Sequence, residues 1–223
     1  MTERRELDSL KPEPGFAYGS SKTYMHNVGL SCCFRQWRAE SHCKYLHGYA
    51  LKVSAEFHSD TLDINNWVFN FGGLKPFKAW LEETFDHKTL VAEDDPALPI
   101  FRELASKSVR REIYHSDVKE LEPLIQLVVV PSTGVEAFSR MIFDWLSHWL
   151  SVNHPSVSVR KVTVSEHEAN SAWYGVDPLA PRVITGEQHV TLKVDASEIT
   201  RAVQDAIGRV ANQPAVNREL GRK

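Results

Sequence analysis

No apolar run in this sequence approaches the roughly 18 residues that a membrane-spanning helix requires. The longest, Leu124–Pro131, has the length of a buried strand, so no membrane span or membrane partner is expected. Blocks of like charge are missing too. None reaches five residues, and 26 basic against 29 acidic side chains leave a formal net charge of −3. A nucleic-acid-binding surface is not expected from that balance. Cysteine is scarce: Cys32, Cys33 and Cys43 are the only three. An odd count argues against a disulfide-built scaffold and for a reducing compartment. The first residues, MTERRELDSLKPEPG, carry charge with no apolar stretch behind them. A secretory leader is therefore not expected, and a cytoplasmic location is.

What is present suits one substantial core. The chain has 223 residues, 42% hydrophobic and 25% charged, within the ordinary globular range. Residues 1–20 are charged and rich in Pro and Gly and are expected to form an irregular arm. Thr23–Arg35 reads as a strand, residues 36–48 as a loop, and Tyr49–His58 as a half-buried antiparallel strand with Leu51, Val53, Ala55 and Phe57 on one face. Leu74–Thr84 has apolar residues at helical spacing with Pro76 near its start. The stretch 91–120 is polar, with room for a short helix around Phe101–Ser106. Leu124–Val130 reads as a strand. Ser132 or Thr133 is placed to cap a long helix, because Glu136 follows Thr133 by three residues. Val157–Val164 makes a further strand. The order predicts an α+β fold with an antiparallel sheet over residues 21–175. Residues 176–223 form an extension with a candidate strand and helix, suited to a lid or an oligomer contact.

The densest cluster of chemically capable residues is HCKYLHGY, residues 42–49. His42, Cys43 and His47 can all bind metal, yet zinc usually takes three or four such ligands. A loop cysteine flanked by surface histidines fits the spacing equally well. Cys43 could also act as a nucleophile or an acid–base group beside a histidine or cation. Asp86 and His87 are adjacent, and an Asp bonded to imidazole fixes its tautomer; an unpaired surface couple at a helix end is the alternative. Glu166, at a strand end, can grip an amino-pyrimidinone edge through paired hydrogen bonds, or simply be exposed. Cys32 and Cys33, on an apolar strand, suit buried and inert thiols. Arg35, Arg38, Lys44 and Lys52 are candidate phosphate contacts or solvated surface.

Taken in order, these pieces resemble the family of 6-pyruvoyltetrahydropterin synthase and 6-carboxytetrahydropterin synthase, from about Thr23 to Tyr174. The family's Cys followed four residues on by His-Gly-His resembles Cys43, His47, Gly48, Tyr49. Its aliphatic-Asp-Phe segment leading to Leu-Lys is similar to Val68, Phe69, Asn70, Phe71 and then Leu74, Lys75. Its Leu-Asp-His resembles Phe85, Asp86, His87. Its threonine before a long helix is similar to Thr133. Its closing Val-x-Glu-Thr with downstream Ala-x-Tyr resembles Val164, Ser165, Glu166, His167 and then Ala172, Trp173, Tyr174.

That resemblance implies a T-fold: a four-stranded antiparallel sheet with two helices on one face, assembled into a homo-oligomeric ring such as a hexamer. It implies active sites between subunits, zinc on three histidines, and proton transfer by Cys43 assisted by Asp86 and His87. Glu166 would anchor the heterocycle, with Thr133 as a second substrate contact. The implied chemistry is carbon–oxygen or carbon–carbon lyase action on 7,8-dihydroneopterin triphosphate, in pterin, queuosine or deazaguanine biosynthesis. The zinc set departs from the family. Its three histidine positions fall on Phe34, His47 and Tyr49, so one ligand of three remains, unless His42, Cys43 and His26 supply a rearranged site. Two readings stand: a protein that binds a pterin or purine-like heterocycle with its zinc site altered or lost, or a non-catalytic ring-forming scaffold.

Overall fold

The computed structural model describes Pro12 and residues 16–106 and 123–176. Most of the expected N-terminal arm, the stretch 107–122 and the extension beyond Val176 lie outside the described residues. The described elements are β1 (Tyr18–Tyr24), β2 (Ser31–Phe34), β3 (His47–Ala50), β4 (Lys52–Ser59), α1 (Lys75–Phe85), β5 (Lys88–Ala92), α2 (Leu98–Leu104), β6 (Gln126–Val130), α3 (Val135–Asn153), β7 (Ser158–His167) and β8 (Asn170–Gly175).

The main sheet is antiparallel and four-stranded, in the order β1-β4-β7-β8. Its buried face carries Val53, Ala55 and Phe57 of β4 and Val159, Val162 and Val164 of β7. The alternation expected along β4 is therefore present. Against this face lie Phe77, Leu81 and Phe85 of α1 and Phe138, Ile142, Leu146 and Leu150 of α3. Both helices thus pack on one side, as the resemblance implied. Trp80 and Trp145 stack at 4.6 Å between α1 and α3, and Trp145 continues to Trp149 at 6.2 Å.

Two departures from the sequence reading shape the site. The strand expected over Thr23–Arg35 is two strands, broken by a 3-10 turn at His26–Val28 and by Gly29, whose φ is 95°. The strand expected from Tyr49 breaks at Leu51, whose N–H donates to the Leu30 carbonyl at 2.9 Å. The two breaks face each other, and the His26 ring bridges them through Nδ1 to the Ala50 carbonyl. Beyond the breaks, β2 and β3 leave the main sheet and join a second one, ordered β3-β2-β5-β6. In it β2 pairs antiparallel with β3, and β5 runs parallel to both β2 and β6. Periodicity did not reveal β5, because KTLVA has burial on both faces and lacks alternation.

The start of α3 also differs. Thr133 does not cap it: the N-cap is Gly134, with no side-chain cap bond. Thr133 Oγ1 instead donates to the Arg35 carbonyl at 2.6 Å. Gly134 has a φ of 109°, and a Cβ there would stand 2.5 Å from Gln36 Nε2. The helix start is thus pressed onto the exit of β2.

Phe138 joins these parts. It is fully buried, 5.0 Å from the Phe34 ring on β2 and 5.4 Å from Phe85 on α1. Phe138→Ala is expected to cost about 3–5 kcal/mol of unfolding free energy, measured by urea denaturation. A loss below about 1 kcal/mol would contradict this placement.

Candidate functional site

Register builds the site. On β2 and β3, Phe34 faces His47 and Cys32 faces Tyr49. Side chains two apart on a strand share a face, so Phe34, His47 and Tyr49 converge. Their ring centroids are 5.1 Å (Phe34–His47), 5.5 Å (His47–Tyr49) and 6.1 Å (Phe34–Tyr49) apart. His167, on β7, adds a fourth ring 6.2 Å from Tyr49. Sequence reasoning did not single out His167; its only signal was its place beside Glu166.

The three positions meet, but their chemistry does not suit zinc. Phe34 has no lone pair and is fully buried against Phe138. His47 donates from Nδ1 to the Tyr45 carbonyl at 2.7 Å, which leaves one Nε2 lone pair. Burial, followed by the charges of Glu166 and Cys43, holds the Tyr49 phenol above its usual range, whereas a metal ligand would need a phenolate. The rearranged set fails as well, since His26 lies on the Ala50 carbonyl and 3.4 Å from Glu168. Among the described residues, no group of three or more His, Cys, Asp or Glu side chains is arranged to hold a metal ion.

Cys43 sits in a one-turn 3-10 helix, His42–Lys44, capped by Ser41, whose hydroxyl accepts the Cys43 N–H at 3.3 Å. The Cys43 carbonyl accepts from Gln36 N at 2.9 Å, which ties the loop to the exit of β2. Cys43 is partly exposed and His42 exposed. Cys32 is different: burial, with Cys33 beside it, pushes its thiol up to about 12. Cys32 is buried, as expected, and Cys33 only half-buried. Cys33 Sγ lies 3.2 Å from Thr89 Oγ1.

Glu166 is the extra residue where β7–β8 pairing shifts between Ser165 and His167. Such bulges re-aim a side chain and recur beside active sites. Glu166 is half-buried, and among the described residues no side chain bonds or pairs with its carboxylate. Its charge reaches the Tyr49 phenol.

Asp86 and His87 do pair, although neighbours in sequence seldom face each other. His87 adopts a left-handed φ of 56°, and its Nδ1 meets Asp86 Oδ1 at 2.7 Å. The His87 N–H donates to the Ser31 carbonyl at 2.6 Å, at the opposite end of β2 from the cysteine loop. From Ser31 to Gln36 extended chain spans roughly 15 Å. Within one chain, therefore, the pair is not brought to Cys43.

Three of the four phosphate candidates are neutralised. Arg35 binds Asp95 through two bonds, Nε–Oδ2 at 2.8 Å and NH2–Oδ1 at 2.5 Å. Arg38 pairs with Asp94 at 2.5 Å and Lys52 with Glu168 at 3.1 Å. Lys44 lies over the Tyr45 ring. A cavity of about 520 Å³ lies at the far end of β1 and β4, lined by Tyr18, Ser20, Trp67, Phe69 and Asn70 among others. Its lining holds no ionisable group besides the Tyr18 phenol, whereas Cys43 and Glu166 lie within electrostatic reach of Tyr49.

The Arg35–Asp95 pair holds β2, the cysteine loop and the turn before α2 together. The Asp95 carboxylate is fully buried, and hydrogen bonds from Arg35 hold its pKa below the usual carboxylate range against the opposing effect of burial. A depressed carboxylate pKa adds stability above its unfolded value of about 3.9, and the contribution fades as pH falls through the folded value. Asp95→Ala is expected to cost about 3 kcal/mol at neutral pH and to flatten the loss of stability on acidification below about pH 4. Urea denaturation across pH checks both; an unchanged acid limb would contradict the assignment.

The family model of 6-pyruvoyl tetrahydropterin synthase matches residues 25–177 of this chain. No curated protein matches it significantly. Among solved structures, the uncharacterized protein WS1659 from Wolinella succinogenes is similar at 19% identity and a TM-score of 0.57, over 73% of this chain and 100% of that one. The 6-pyruvoyl tetrahydropterin synthase of Plasmodium falciparum aligns at 15% identity and a TM-score of 0.44, over 70% of this chain and 96% of that one. That of Caenorhabditis elegans aligns at 15% identity and 0.42, over 73% and 96%. At such identities likeness speaks to the fold alone, and the fold is an α+β T-fold. With the family match spanning more than half of its length, the chain belongs to the 6-pyruvoyl tetrahydropterin synthase family.

Proposed function

We propose that this protein binds a pterin or another purine-like heterocycle without the zinc of its family. The observation that carries this reading is Glu166: a bulged, half-buried carboxylate with no side-chain partner among the described residues. A carboxylate held in that way is an acceptor for two N–H groups on one ligand edge, as an amino-pyrimidinone supplies. Cys43 and Tyr49 stand by the same end. Thr133, its proton committed to Arg35, joins only as an acceptor.

The main sheet supports a ring. Among the described residues its outer strands β1 and β8 have one open edge each, and Trp173 and Tyr174 on β8 are exposed. Open edges are ready templates for pairing with another chain. In a homo-oligomeric ring, Asp86 and His87 of one copy would approach Cys43 of the next, supplying the assisting pair that one chain does not bring together.

A zinc-assisted lyase is not the favoured activity, because Phe34 and Tyr49 replace two ligands. The rival is a scaffold with no ligand, and the unpaired Glu166 weighs against it.

Fluorescence titration with pterin is expected to show binding, weakened about tenfold to a hundredfold by Glu166→Gln, the worth of charge-assisted hydrogen bonds. Absence of pterin and guanine binding in the native protein would favour the scaffold. Incubation with 7,8-dihydroneopterin triphosphate is expected to give no turnover, in protein that light scattering shows to be a multiple of the 25.3 kDa chain. Turnover that Cys43→Ala removes while the ring stays intact would overturn this and restore the lyase.

A further inference from the structure

We propose that Tyr49 takes over the position of the metal as the hydrogen-bond donor to an oxygen on the substituent of the bound heterocycle, inside a clamp of rings formed with Phe34, His47 and His167. The inference rests on the heterocycle reading above and specifies its ligand.

Of the three former metal positions, only Tyr49 still offers a free polar hydrogen. Phe34 is committed to the core as the floor of the cluster. His47 spends its Nδ1 hydrogen on the Tyr45 carbonyl, which leaves an acceptor at Nε2. The Tyr49 hydroxyl has no hydrogen-bond partner among the described residues, and the ring is only half-buried. A phenol, with an ordinary pKa of about 10, keeps its proton near neutral pH and donates.

The two polar groups are complementary in sign. Glu166 accepts from N–H groups, while Tyr49 donates to oxygen. A ligand that satisfies both presents an amino-pyrimidinone edge on one side and a hydroxylated or carbonyl-bearing substituent on the other. The rings of Tyr49 and His167 have centroids 6.2 Å apart at an angle of 50°, and such faces favour a planar aromatic body. A single phenol needs only one oxygen on that substituent.

The test compares pterin, which lacks a substituent at C6, with neopterin, which carries a trihydroxypropyl chain there. Both are titrated by fluorescence against the native protein, Tyr49→Phe and Tyr49→Leu, without and then with chelator. Native protein is expected to bind neopterin more tightly than pterin. Tyr49→Phe keeps the ring and should weaken neopterin about tenfold while changing pterin less than about twofold, the difference of one hydrogen bond. Tyr49→Leu removes the ring and should weaken both. Equal effects of Tyr49→Phe on the two ligands, or none, would overturn the role of Tyr49 and leave the heterocycle reading standing. Failure of the native protein to bind either ligand would overturn both. A loss of native neopterin binding on adding chelator would return the role to a metal.

Discussion

The contact between Phe34 and Phe138 is the constraint on which the rest of the site depends. Phe34 is the last residue of β2, and Phe138 lies one turn into α3. Their rings meet edge to face at 5.0 Å. That contact fixes the tilt of β2 and β3 relative to the helix, and so the face on which His47 and Tyr49 stand. A metal at this point would have tied strand to strand through lone pairs. Here buried aromatic surface joins β2 to α3 instead, with the edge-to-face geometry that ring pairs prefer. The Arg35–Asp95 pair secures the next residue along, and the Thr133 hydroxyl secures its carbonyl. Three consecutive features of the chain thus hold one corner of the molecule.

Much of the fold was legible because it follows from period. β4 alternates, α1 and α3 carry apolar residues at helical spacing, and the corresponding core was readable from those positions. The break at His26–Gly29 was not, because TYMHNVGL has enough apolar residues to pass for continuous strand, and only Gly29 marks the turn. β5 escaped for the opposite reason: a strand with two buried faces has no alternation to detect. The capping pattern at Thr133 had the right spacing, yet the hydroxyl found a stronger competitor in the Arg35 carbonyl, 98 residues away. Local motifs cannot anticipate a partner that tertiary packing supplies.

The site was legible residue by residue but not as an arrangement. Cys43, His47, Tyr49 and Glu166 are visible in the sequence; that Tyr49 and Glu166 sense each other is not. Arg35 and Arg38 find partners in Asp95 and Asp94, 60 and 56 residues away, which charge judged along the chain does not reveal. The Asp86–His87 contact was not legible, because side chains of neighbours diverge in helices and strands. A left-handed residue between α1 and β5 removes that objection.

That left-handed residue carries a consequence for what natural variation can do here. Positive φ disfavours an L-residue with a Cβ by roughly 1–2 kcal/mol, and glycine or asparagine would relieve the backbone at His87 at once. Relief would come only by surrendering the imidazole held at 2.7 Å from Asp86. Backbone comfort and the ring are therefore in direct competition at a single codon, and the residue present is the one that stability alone would not select.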